Sequence, residues 1–134
     1  MTPRPLAPAD RAAAVALWQA CGLTRPWNDP AADFDRAVAA QGSAVLGIDA
    51  GAALVGTVMV GDDGHRGWLY YLAVAPSHRG SGLARTLVDA AEEWLRERCV
   101  PKVQLMVREG KDAAGFYAAL GYEAADVTVM ARWL

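Results

Sequence analysis

The sequence predicts a single α/β domain, built on a mixed sheet with its elements in the order α-α-β-β-β-α-β-α-β. Three observations carry this. The chain has 134 residues, 54% of them hydrophobic, enough for one sizeable core and too few for two. Apolar residues recur at helical spacing in some stretches and form short β-branched runs in others. Glycine and proline stand where one pattern gives way to the next.

In "LAPADRAAAVALWQACG", Pro8 suits a first helical position and Gly22 a C-terminal cap, with Val15, Trp18 and Cys21 on one face. Asp29 caps and Pro30 starts a second helix, which carries Phe34, Ala37 and Val38 and ends at Gly42. "SAVLGID" and "AALVGTVMVG" read as two strands of a hairpin turning near Ala50 and Gly51, and after "DDGHRG" the run "WLYYLAVA" reads as a third. Leu83, Leu87, Ala91, Trp94 and Leu95 mark a helix that runs to about Arg98, before Pro101. "KVQLMV" then gives a strand and "DAAGFYAALG" a short helix, and "YEAADVTVMARWL" can supply one or two final strands.

The formal net charge of −2 and isoelectric point near 5.6 give no broad basic footprint, so nucleic acid is not an expected partner and an anionic ligand must be held locally. Cys21 and Cys99 lie far apart with no CxxC, so neither a metal site nor a disulfide framework is expected. No run is long enough to span a bilayer, and "MTPRPLAPAD" is unlike a signal peptide, so the expectation is a reduced, cytoplasmic chain of one domain over residues 1–134 without a membrane partner.

The stretch "HRGSGLA" places Gly80 and Gly82 between a strand and a helix start, where unpaired backbone amides and the helix dipole favour an anion. It is neither GxGxxG nor a P-loop, so a dinucleotide and a nucleoside triphosphate fit poorly, whereas a diphosphate fits. Taken alone, such glycines can equally form an ordinary turn. With "YYLAVAPSH" before the loop and "GFYAALGY" after it, Arg79, Gly82 and Ala84 match R/Q-x-x-G-x-G/A, and the chain resembles the Gcn5-related N-acetyltransferase (GNAT) family. "RPWNDP" and "DGHRG" are similar to its YpeA-like bacterial subgroup.

That resemblance implies a mostly antiparallel sheet whose central strands splay apart to admit acetyl-coenzyme A, with no metal. It implies that the backbone of Leu72, Ala73 and Val74 pairs with the pantetheine arm. Amides of Arg79, Gly80, Ser81, Gly82, Leu83 and Ala84 would take the pyrophosphate. Tyr117 corresponds to the family's general acid, protonated at neutral pH, although among Phe116 and Leu120 it also reads as a packing residue. The asparagine often found at the start of its helix is replaced by Gly110-Lys111-Asp112. His65 is a base candidate because its ordinary pKa lies near neutrality, with Asp62, Asp63 and Glu109 as carboxylate alternatives. His78 reads as a solvated neighbour of the cofactor.

Acceptor recognition is expected from Trp27, Asn28, Asp29 and Arg66, though capping by Asp29 and packing by Trp27 are open alternatives. The implied reaction moves an acetyl group to a primary amine, on a small molecule or a peptide; a homodimer is compatible with this. Acyl-coenzyme A binding or sensing without transfer is the alternative, and thiol release on adding amines separates the two.

Overall fold

The computed structural model describes residues 1–108 and 113–134. Strand β1 (Arg4–Pro5) and a 3-10 turn at Pro8–Asp10 lead into helices α1 (Arg11–Ala20) and α2 (Pro30–Ala39). Strands β2 (Ser43–Ala50), β3 (Ala53–Asp62) and β4 (Gly67–Val74) follow, then α3 (Leu83–Arg96), β5 (Val103–Leu105) and α4 (Ala113–Ala119). The sheet runs β1-β2-β3-β4-β5, antiparallel as far as β4, with β4 and β5 parallel. This is the expected mixed and mostly antiparallel α/β fold.

Each face of the sheet buries its own core. Helices α1 and α2 cover one face, where Trp18 and Phe34 are buried with Leu17, Val45 and Ala73. On the other, α3 presents Leu83, Leu87, Ala91 and Leu95, at the helical spacing read from sequence, together with Val88, to Ile48, Val58 and Val60, with Trp94 partly buried at its side. Adjacent strand residues point to opposite faces, so β2 and β3, sandwiched between two helical layers, are apolar along much of their length instead of alternating.

Thr57 is the buried polar residue on β3, at 0% exposure. It accepts from the Trp18 indole Nε1 at 2.9 Å and donates to the Tyr71 carbonyl at 3.0 Å. Thr57→Val is nearly isosteric but strands both partners, and we expect it to lower stability by about 1–3 kcal/mol, read as an earlier urea midpoint.

Three expectations are corrected. The strand or strands expected from "YEAADVTVMARWL" are absent among the described residues: Val127, Val129, Met130 and Trp133 are exposed and unpaired. A β-prone run becomes a strand only where a sheet edge takes its backbone groups, and β5 offers three residues. A strand precedes the first helix instead, tied down by Arg4, whose guanidinium bonds Asp49 at 2.6 Å and Asp10 at 3.0 Å. The element order is therefore β-α-α-β-β-β-α-β-α. Pro8 begins a 3-10 turn, not the first α-helix, which starts at Arg11.

Candidate active site

The glycine loop joins the 3-10 turn at Pro76–His78 to α3. Gly80 and Gly82 have φ of +78° and +82°, a region that favours glycine, and nothing lies within 4 Å of the space above either. Gly82 is the N-cap of α3 and supplies no side chain to it. The Ser81 hydroxyl, the nearest substitute, is turned back onto the His78 carbonyl. Helix α3 thus begins with no side-chain cap on its first amides, at an exposed and sterically open surface, and a diphosphate fits there. Leu83 is buried, so it offers only backbone to this surface, and His78 Nδ1 lies 2.8 Å from the Ser77 hydroxyl.

From the loop a cavity of about 350 Å³ runs along the end of β4. It exists because β4 and β5 pair only from Gly67 to Leu69, opposite Val103 to Leu105, so β4 beyond Leu69 has no partner on that side. Leu72, Ala73, Val74, Arg79 and Ala84, expected on the cofactor, line it together with Tyr117. Cys21, Leu23 and Phe116 line it too. The Val74 carbonyl is already occupied, accepting from Arg79 Nε at 3.2 Å and from the Cys21 thiol at 3.3 Å. A ligand donor to that carbonyl must displace at least one of the two, since a carbonyl oxygen has two lone pairs.

Tyr117 projects from α4 between Phe116 and Tyr122, with ring centroids 5.1 and 5.6 Å away in edge-on arrangements. Its hydroxyl makes no hydrogen bond among the described residues, and burial pushes the phenol pKa above its ordinary value. Ring packing and an available hydroxyl coexist. Behind Tyr117 a second cavity, of about 910 Å³, separates β5 and the end of α3 from the tail and is lined by Trp68, Leu105, Tyr122 and Val129.

His65 and Arg66 are not brought to this site. Both belong to the β3–β4 turn, and Leu72 lies seven residues beyond His65, about 20 Å away along an extended strand. Nor are the turn's carboxylates idle. Asp63 accepts from the amides of Arg66 at 2.7 Å and His65 at 2.8 Å and from the Trp68 indole at 3.0 Å, which together hold its carboxyl below the usual carboxylate range. Asp62 accepts from the Gly64 amide. The polar residues of "DGHRG" close a hairpin, and the base role expected of His65 loses its geometric support at the thioester end of the cavity. Glu109, with Gly110, Lys111 and Asp112, lies outside the described residues.

"RPWNDP" has a different location. It follows α1, whose end supplies Cys21 and Leu23 to the cavity, and precedes α2. The β3–β4 turn is at the other end of α2, where the Asp62 amide donates to the Gly42 carbonyl at 2.7 Å, so the ten-residue helix holds the two stretches about 15 Å apart. Trp27 is 57% exposed, and the Asn28 amide closes a turn on the Arg25 carbonyl at 3.0 Å. Asp29 does cap α2, accepting from the Ala32 amide at 3.1 Å. Asp29→Ala should therefore cost about 0.5–2 kcal/mol in urea unfolding, and Asp29→Asn, which caps equally, should recover most of it. Any loss of acceptor affinity that persists in the Asn variant belongs to the carboxylate charge.

Comparison with known proteins decides the class. Residues 11–122 match the sequence profile of the Acetyltransferase (GNAT) family. The chain belongs to the GNAT acetyltransferase family. An acetyltransferase of Pectobacterium atrosepticum is 43% identical over 126 residues, covering 93% of this chain and 89% of that protein. Solved structures extend the likeness at the level of the fold. One is AAC(6')-Iy in complex with the bisubstrate analogue CoA-S-monomethyl-acetylneamine, with a TM-score of 0.83 at 18% identity over 98% of this chain and 97% of that one. Another is a ribosomal-protein-alanine N-acetyltransferase of Brucella melitensis, with a TM-score of 0.78 at 23% identity over 98% of both chains. As a GNAT acetyltransferase the protein is an acyltransferase.

Proposed function

We propose that this GNAT protein transfers an acetyl group from acetyl-coenzyme A to a primary amine by direct attack, within the YpeA-like bacterial subgroup and in the cytoplasm. The observation that carries the reading is the cavity that joins the uncapped start of α3 to the unpaired end of β4 and reaches Tyr117. The pyrophosphate lies on the amides of Arg79 to Ala84, and the arm follows Val74 and Ala73 toward Leu72. The thioester then lies beside Tyr117. Trp27, Asn28 and Asp29, near the α1 end of the cavity, receive the acceptor.

The chemistry asks little of the protein beyond placement. A neutral amine attacks the thioester carbonyl carbon, forming a C–N bond; collapse of the tetrahedral species breaks the C–S bond, and the amine's proton leaves to solvent. Tyr117 supplies a proton to the departing thiolate, and its raised pKa keeps that proton in place at neutral pH. The sulfur then departs as the neutral thiol, a better leaving group than the thiolate, and the Tyr117 phenolate regains its proton from solvent. No covalent enzyme intermediate is formed.

An amine library assayed by thiol release from acetyl-coenzyme A tests the reaction. Stoichiometric thiol and acetylamide from at least one primary amine are expected. Tight acetyl-coenzyme A binding with no release above the hydrolytic background, across the library, would favour a binding or sensing module.

A further inference from the structure

The reading of Tyr117 as the acid beside the thioester, on which this inference rests, requires that its hydroxyl be held in one place. Helix α4 cannot do this alone. Its seven residues make about two turns, well short of the length at which a helix is stable by its own hydrogen bonds, so what it packs against sets its position. Phe116 and Leu120 pack on the core that α3 covers. Apolar contact is non-directional, however, and leaves the aim of a neighbouring side chain to other groups.

Tyr122 supplies the direction. Gly121 takes φ +95° and closes α4, with its own amide on the Ala118 carbonyl and the Tyr122 amide on the Tyr117 carbonyl, each at 3.0 Å. This is a Schellman turn, and its usual side-chain contact is here the edge-on packing of the Tyr122 ring against Tyr117 at 5.6 Å. The far end of the Tyr122 ring is tied down as well: its hydroxyl donates to Glu92 Oε2 on α3 at 2.7 Å, a bond that spans 30 residues. The other carboxylate oxygen of Glu92 accepts from Arg96 at 3.3 Å, one turn further along α3. Burial and the carboxylate together raise the Tyr122 phenol pKa, so the hydroxyl stays a donor at neutral pH. Packing does not call for this bond, since a phenylalanine would make the same ring contact. What the hydroxyl adds is a link from α4 to α3, the helix whose first amides take the pyrophosphate in the proposed complex. Glu92 lies ten residues beyond Gly82, about 15 Å along that helix. Tyr117 lines both cavities, whereas Glu92 and Tyr122 line the larger one.

We propose that Glu92 and Tyr122 are positioning residues, whose hydrogen bond ties Tyr117 to α3 and so sets the hydroxyl of the general acid relative to the loop that holds coenzyme A. One rigid helix then carries the anion site at its start and, through Glu92, the proton donor further along. Neither residue touches the thioester or the acceptor; both act through the ring and the carbonyl of Tyr117. A misplacement of about 1 Å can cost about 10²-fold in rate, which is what such a link guards against.

The test is NMR of the protein carrying tyrosine labelled with ¹³C at Cζ, the carbon that bears the hydroxyl, titrated with coenzyme A. Four tyrosines give four lines, and the Tyr117 line is the one missing from Tyr117→Phe. In the wild type that line should move to a new position at saturation, as the sulfur comes to the hydroxyl. In Tyr122→Phe and Glu92→Ala most of that change should be lost, with little change in coenzyme A affinity by calorimetry. Glu92→Gln, whose amide oxygen still accepts from Tyr122, should keep it. Turnover with any amine that releases thiol gives a second reading. Tyr122→Phe should lower kcat with KM for acetyl-coenzyme A nearly unchanged, and should lower it no further where Tyr117→Phe is already present. A wild-type response of the Tyr117 line in both Tyr122→Phe and Glu92→Ala would overturn the proposal, as would turnover losses that add to that of Tyr117→Phe, or a loss of affinity that accounts for the change. Should Glu92→Ala fail to fold, Tyr122→Phe decides alone, because its ring contact and its amide bond to Tyr117 are intact. A wild type that binds coenzyme A with an unmoved Tyr117 line overturns the placement of Tyr117 beside the sulfur and this proposal with it, whereas a wild type that does not bind it overturns the reading of the cavity.

Discussion

Tyr117→Phe should lower turnover by about 10² to 10⁴-fold, the range for loss of a positioned general acid. Acetyl-coenzyme A affinity should change little, because the ring contacts with Phe116 and Tyr122 need no hydroxyl. Steady-state kinetics with any accepted amine, paired with calorimetry, separates the two quantities. The pH dependence supplies a second check. Burial raises the Tyr117 pKa, so the catalytically competent protonated form persists through neutrality, and any basic limb of turnover that belongs to this group must lie above about pH 10. Wild-type turnover in the Phe variant would reduce Tyr117 to a packing residue of α4.

Gly82→Asp should weaken acetyl-coenzyme A binding by about 10- to 100-fold, the scale of one lost charge-assisted hydrogen bond, with like-charge repulsion acting in the same direction. The protein itself should survive the change. Nothing lies within 4 Å of the new Cβ, and although φ is +82°, aspartate and asparagine are the side chains that tolerate left-handed backbone best. Gly82→Asn is the matched control: it has nearly the same bulk and no charge. If the Asn variant binds clearly better than the Asp variant, the electrostatic part of the effect is isolated. Unchanged dissociation constants in both folded variants would remove the pyrophosphate from the start of α3.

The places of those two residues in the fold are legible in the sequence, and the reason is local. Gly82 belongs to a strand–loop–helix junction whose chemistry follows from the chain around it, and Tyr117 belongs to a short helix with a recognisable sequence. Asp29 was legible for the same reason, since a capping side chain and its helix are neighbours in sequence. Long-range features were not. Nothing in "LWQACG" indicates that Cys21 reaches the Val74 carbonyl, 53 residues away, and the Asp33 contact with Tyr71 spans 38. The bulge that gives Tyr71 its positive φ is invisible in a run as apolar as "WLYYLAV".

The β3–β4 turn illustrates the opposite error. A histidine, an arginine and two carboxylates close together look like catalytic material, yet the hydrogen bonds of Asp62 and Asp63 are spent on the amides and the indole of that turn. Sequence proximity supplied the cluster, and strand length carried it away from the cavity. In the tail, β propensity at Val127 to Met130 marks residues able to form a strand, but a three-residue β5 leaves little edge for them to pair with.

Amide chemical-shift mapping by NMR, on titration of the 134-residue protein with acetyl-coenzyme A, tests the central claim most directly, because it requires no knowledge of the acceptor. The expected result is a saturable set of changes concentrated at Leu72 to Val74, Arg79 to Ala84 and the α4 residues around Tyr117, with the β3–β4 turn at Asp63 to Arg66 nearly silent. Absence of saturable change, or changes centred instead on the larger cavity between β5, Tyr122 and Val129, would contradict it.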